Sequence, residues 1–98
     1  MPELALTARQ RRRLCALAHP LDPVVLLGKA GLTEGVVQAL DKALLAHELI
    51  KVQLRRPDDK ESEARALAEA TGAALCGLVG HVAILYRPHP DGARLDIG

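Results

Sequence analysis

The sequence predicts a mixed α/β (α+β) domain whose elements run α-β-α-β-α-β-β. Three observations carry that assignment. Apolar residues recur at helical spacing in residues 7–18, 33–47 and 60–71, the pattern of helices with one buried stripe. Between and after them come short apolar or alternating runs at residues 24–27, 49–55, 73–79 and 81–87, each bounded by Gly, Pro or a charged turn, as strands are. The chain has 98 residues, enough for one core without staples and too few for two.

The elements follow in order. Thr7 and Gln10 have the spacing of a capping box, and the helix they start should stop near Ala18, before Pro20. Gln10, Leu14, Leu17 and Ala18 share one face, expected to be buried, while Arg9, Arg12 and Arg13 fall with Ala16 on another. The run Val24-Val25-Leu26-Leu27 suits a strand buried on both faces, or a central one. After Gly28-Lys29-Ala30-Gly31 a second helix is capped by Thr33, with Val36, Leu40, Ala43, Leu44 and His47 as its inner stripe and Leu45 opposite. In residues 49–55 Ile50, Val52 and Leu54 point one way, and Lys51, Gln53 and Arg55 point towards solvent or a ligand. Residues 56–59 turn into a third helix, 60–71, with Ala64, Leu67, Ala68 and Thr71 inside and Gly72 as its stop. Two strands then form a tight hairpin around Gly80-His81. The whole chain, 1–98, reads as a single domain, with 88–98 a loosely ordered tail rich in Pro, Gly and Asp.

Composition narrows the classes. Hydrophobic residues make up 49%, yet there is no Phe and no Trp, so Leu, Val, Ile and Ala must build the core. Cys15 and Cys76 lack metal-ligand spacing and read as reduced thiols. Arginines arrive too early for a signal peptide, and no run approaches the roughly 20 apolar residues of a membrane span. A cytoplasmic protein with no membrane partner is expected. The net charge is +1, but its distribution says more. From Thr7 to Gly31 five basic residues face one acid, Asp22, whereas Asp58, Asp59, Glu61, Glu63 and Glu69 cluster later.

The loop Gly28-Lys29-Ala30-Gly31 is the main candidate site. It joins a strand to a helix N-terminus, where unpaired N–H groups and the helix dipole attract anions. Two glycines let a sugar-phosphate backbone come close, and Lys29 adds charge. A GXXG loop in this setting is how KH domains clamp nucleic acid; the alternative is a turn that needs glycine for its geometry. The sequence around it is not the G-x-x-x-x-G-K-[ST] of a phosphate loop. Arg9, Arg12 and Arg13 form a basic helix face, and Arg87 at the end of the last strand could join them. His19, His47, His81 and His89 form no metal or catalytic pattern, with His47 expected to be partly buried. No nucleophile has a partner, so no catalytic residue, metal, cofactor or small-molecule substrate is expected. Tyr86 is the single aromatic residue, which excludes modules that stack bases on several rings.

Several blocks together resemble the CRM domain (chloroplast RNA splicing and ribosome maturation), in particular the bacterial stand-alone YhbY-like proteins. They are Leu17-Ala18-His19-Pro20-Leu21, Pro23-Val24-Val25-Leu26-Leu27-Gly28, Gly31-Leu32-Thr33-Glu34-Gly35-Val36, His47-Glu48-Leu49-Ile50-Lys51-Val52 and Leu85-Tyr86-Arg87. The resemblance runs from about Leu6 to Pro88. It implies a two-layer fold similar to the C-terminal domain of translation initiation factor three, with a four-stranded mixed sheet packed by helices. It also implies RNA binding through Gly28, Lys29, Ala30 and Gly31 with an adjoining basic surface, on large-subunit ribosomal RNA or pre-ribosomal particles during ribosome assembly. Enzymatic activity is not implied. The acidic third helix departs from the pattern, and RNA contact there is not expected. The alternative function is a protein-interaction module docking on a ribosomal protein or assembly factor, suggested by the low net charge, that acidic helix and Leu45.

Overall fold

The computed structural model describes residues 5–55 and 59–95. Seven elements follow in the expected order: α1 (Ala8–Ala18), β1 (Pro23–Leu26), α2 (Glu34–His47), β2 (Leu49–Gln53), α3 (Lys60–Thr71), β3 (Ala74–Val79) and β4 (Val82–Tyr86). The strands form one mixed sheet in the order β1-β2-β4-β3. β1 runs parallel to β2, and the other neighbours are antiparallel.

Alternation along the strands divides the core in two. Ile50, Val52, Leu75, Ala83 and Leu85 face α2 and α3, meeting Leu40, Leu44, Ala64, Leu67 and Ala68. This is the sheet-plus-helix unit the sequence implies. Leu49, Cys76, Ile84 and Tyr86 face the other way, where Leu14 and Ala18 of α1 cover them. Side-chain caps start all three helices. Thr7 Oγ1 accepts from Gln10 N at 3.1 Å while Gln10 Oε1 accepts from Thr7 N at 3.0 Å, a complete capping box. Thr33 caps α2 through Val36 N, and Asp59 caps α3 through Ser62 N. Gly72, at φ +70°, ends α3 as a left-handed cap. The inner face of α3 is Ala64, Leu67, Ala68 and Thr71, as its periodicity predicts. The turn expected at residues 56–59 lies mostly outside the described residues.

Four expectations are corrected. β1 is an edge strand, neither central nor buried on both faces: Val24 is 51% exposed and Leu26 71%. Pro23 opens it, as a residue without an N–H can on an edge, and only Val25 and Leu27 pack on the core. A run of four apolar residues cannot by itself tell one covered face from two. On α1, Leu17 stays 36% exposed, and Arg11 and Cys15 turn towards the sheet instead. His47 is exposed, because α2 ends there and the next residue, Glu48, is the buried one. Lastly, residues 89–95 are fastened to the domain: the Glu48 carboxylate accepts from the backbone N–H groups of His89 at 3.2 Å, Arg94 at 2.8 Å and Leu95 at 3.1 Å.

A bulge positions α1. The β3–β4 register shifts between Leu75 and Gly77, leaving one extra residue on the bent strand. The Leu75 carbonyl accepts from the Arg11 guanidinium, and the Cys76 carbonyl accepts from Cys15 Sγ at 3.4 Å. A Cβ on Gly77 would stand 2.8 Å from Cys15 Sγ, so glycine is what lets the helix come this close.

Candidate nucleic-acid interface

The loop after β1 is a single tight turn. Gly31 N donates to the Gly28 carbonyl at 3.0 Å, which places Lys29 and Ala30 at its exposed tip. Its two glycines have different reasons to be there. Gly31 has φ +67°, a conformation that L side chains rarely adopt. Gly28 does not have a positive φ, and a Cβ added to it would meet nothing within 4 Å. Neither backbone geometry nor packing in the free protein requires glycine at position 28. The turn then delivers the chain to Thr33 and the first turn of α2, where helix N–H groups favour negative charge.

The two flanks of the loop differ in charge. On one, Lys29, Ala30, Gly31 and Leu32 border a shallow pocket completed by Asp59, Ser62, Glu63 and Ala66 at the start of α3. Carboxylates there repel a phosphate. On the other flank, Leu26, Leu27, Gln53, Leu54, Arg55 and His81 form an open depression with no acidic side chain among its described residues. It continues over the sheet face that α1 half covers. Pro23, Lys51, Ile84 and Gly77 are aligned across the four strands, and so are Leu26, Gln53, Val82 and Val79. α1 covers the opposite end of that face, where Leu49 and Tyr86 are buried. Four residue steps along β2 lead from Leu49 to Gln53, which is roughly 13 Å of strand.

The expected basic residues divide accordingly. Arg9, Arg12 and Arg13 are exposed on α1. Arg87 does not join them. Its guanidinium donates to Asp41 Oδ1 at 2.8 Å and to the Thr71 carbonyl at 2.7 Å, and its side chain is 18% exposed. It ties α2 and the end of α3 to the last strand. Lys51 and Arg55 take its place as cations of the open face. Lys51 Nζ donates to the His19 carbonyl at 3.1 Å, and Arg55 is exposed beside the loop. Their alternation with Ile50, Val52 and Leu54 is the signal that places them there, and it was visible in the sequence.

Other chemistry-bearing groups are accounted for structurally. Tyr86 is 2% exposed, so it offers no stacking surface; burial first, and then the nearby Glu48 charge, raise its pKa above 10.0. Burial works against the Glu48 charge, but the N–H donors of Arg94, Leu95 and His89 outweigh it and hold the pKa below 4.5. Cys15 and Cys76 are not joined in a disulfide. His81 Nδ1 is buried without a hydrogen-bond partner among the described residues. Among those residues no group of His, Cys, Asp and Glu could hold a metal ion, and no helix is long and apolar enough to cross a membrane.

The chain is similar to known proteins in sequence and in fold. Residues 6–87 match the CRS1 / YhbY (CRM) domain. An RNA-binding protein of Haemophilus influenzae (strain Rd) is 45% identical over 88 residues, spanning 88% of this chain and 89% of its own length. YqeI of Bacillus subtilis (strain 168), named a probable RNA-binding protein, is 31% identical over 94 residues, or 94% of this chain and 98% of its own. The solution structure of SAV1595 from Staphylococcus aureus superposes with a TM-score of 0.83 at 34% identity, covering 96% of this chain and all of that one. The chain therefore belongs to the CRS1 / YhbY (CRM) domain family.

Proposed function

We propose that this protein binds RNA, holding the sugar-phosphate backbone with Gly28-Lys29-Ala30-Gly31 and extending the contact across the open sheet face to Arg12 and Arg13. The observation that carries this reading is Gly28: a glycine that neither φ nor packing demands, beside Lys29 in the turn that leads to α2. A missing Cβ there serves close approach of a ligand. The Haemophilus influenzae relative, named as an RNA-binding protein, supports the same ligand. We further propose that the RNA is ribosomal, in large-subunit precursors, and that the protein acts in the cytoplasm as an assembly factor rather than an enzyme.

The test is affinity for structured ribosomal RNA as a function of salt. Log affinity should fall with log salt by roughly 0.7–0.9 for each phosphate neutralised. Lys29→Ala should reduce that slope by about one phosphate, and Gly28→Val should weaken binding while leaving the thermal midpoint unchanged. Salt-independent binding, or wild-type affinity in Gly28→Val, would overturn the assignment. A second reading rests on a different place. A groove of about 410 Å³ lies between Leu17, Leu21, Val24, Leu49 and Leu95, shares no residue with the loop, and suits docking on a ribosomal protein or assembly factor. Association that survives complete RNase digestion would favour it.

A further inference from the structure

We infer that the open half of the sheet between α1 and the glycine loop is a seat for an unpaired nucleobase, so that the protein contacts a base as well as the backbone. The inference rests on RNA being the ligand of the loop.

The surface is apolar where a solvated sheet face would be polar. Leu26 and Val79 stand at the two ends of one row of the sheet and are 71% and 67% exposed. Val82 lies between them in register, with Gln53. Next to this row, Cys15, Ala16 and His19 of α1 form one wall of a groove. Its floor and far side are Pro23, Lys51, Val79, Val82 and Ile84, and its volume is about 450 Å³. That is the size of clefts that hold small organic ligands. A flipped base needs such a slot: apolar side chains against its faces and a few polar groups at its edge.

Three features favour a base over another apolar occupant. The face is continuous with the loop, since Leu26 and Leu27 lead directly into Gly28 and line the depression beside it. Its charged groups among the described residues are cations, Lys51 at the groove and Arg55 next to the loop, which suit a chain of phosphates. Polar groups able to meet a base edge also stand there. Gln53 Nε2 donates to the Leu54 and His81 carbonyls at 3.3 and 3.5 Å, which leaves the amide oxygen to accept from a base edge. His81 lines the depression beside the loop, and its buried Nδ1 has no partner among the described residues, an unusual state; a base edge would meet it only once the ring turns outward. Tyr86 is buried on the covered half, so aliphatic side chains must supply the faces of the slot.

The experiment uses two RNA hairpins with identical stems, one with a seven-nucleotide loop and the other with the same loop made abasic. Phosphate number is equal, so the backbone clamp alone binds both alike. The hairpin with bases should bind the full-length protein more tightly by about tenfold, the lower range for one base contact. Ala16→Leu, which fills the groove from an exposed helix position, should bring the two within about threefold. Leu26→Ser with Val79→Ser, both exposed, should do the same, with the fold checked by circular dichroism. Equal binding of the two hairpins overturns the base seat and leaves the backbone clamp standing. A base preference that persists in both variants also overturns it. If neither hairpin binds at low salt, RNA as the ligand of this face falls as well.

Discussion

Glu48 follows the last residue of α2 at φ +62°, where few non-glycine residues are found. Its carbonyl accepts from Arg87 N at 2.9 Å, and its carboxylate gathers three N–H groups from residues 41 to 47 positions away. Hydrogen bonds to a buried charged group contribute about 1.5–3 kcal/mol each when measured singly, so Glu48→Ala should destabilise the domain by about 2–4 kcal/mol. The pH dependence has a definite sign. Because the folded pKa lies below the ordinary 4.5, the stabilisation is complete above about pH 4.5 and is lost as pH falls through the folded value. Denaturant titrations between pH 6 and pH 3 should therefore show a steeper loss in wild type than in Glu48→Gln. Parallel curves for the two proteins would refute it. None of this was legible in the sequence, because a glutamate after a helix says nothing of donors forty residues on. The Arg87 ion pair was hidden for the same reason: Asp41, its partner, is 46 residues away. The tight turn at Gly28–Gly31 was legible because the residues that form it are adjacent in sequence.

Elements were legible where a cap, a stripe and a stop agree. In α3, Asp59, the Ala64-Leu67-Ala68-Thr71 face and Gly72 all point to one helix, and that helix forms. β1 lacked such agreement, since hydrophobicity alone does not reveal how many neighbours a strand has. The contact between α1 and β3 belongs to this scale as well. Gly77→Ala should destabilise the domain by about 1–2 kcal/mol, because its methyl group would collide with Cys15 Sγ. Cys15→Ala should relieve most of that cost in the double variant, since the clash is between these two side chains alone. Thermal unfolding of the four proteins in this cycle measures the coupling; strict additivity would mean that Gly77 serves some other end.

At the scale of the whole molecule, the last described segment closes the structure over the end of the sheet that α1 covers. Leu95 packs against the smaller core, beside Leu14, Leu49 and Tyr86. Ending the chain at Pro88 should lower the thermal midpoint by several degrees, since about 1 kcal/mol is worth 4–8 °C in a domain of this size. The same truncation in Glu48→Ala should cost much less, because both changes remove one set of bonds. Midpoints that simply add would contradict the fastening. The sequence showed the general plan of the molecule, a mixed sheet with its helices in order, but not how much of each sheet face remains bare.

That bareness traces to one residue too many in β3. The bulge offers two carbonyls to Arg11 and Cys15, and so moors α1 at one end of the sheet. Chain length between Gly72 and Gly80 thus acts as a ruler. Deleting one residue there would restore even pairing, set the helix adrift from its moorings and change the size of the platform it leaves uncovered.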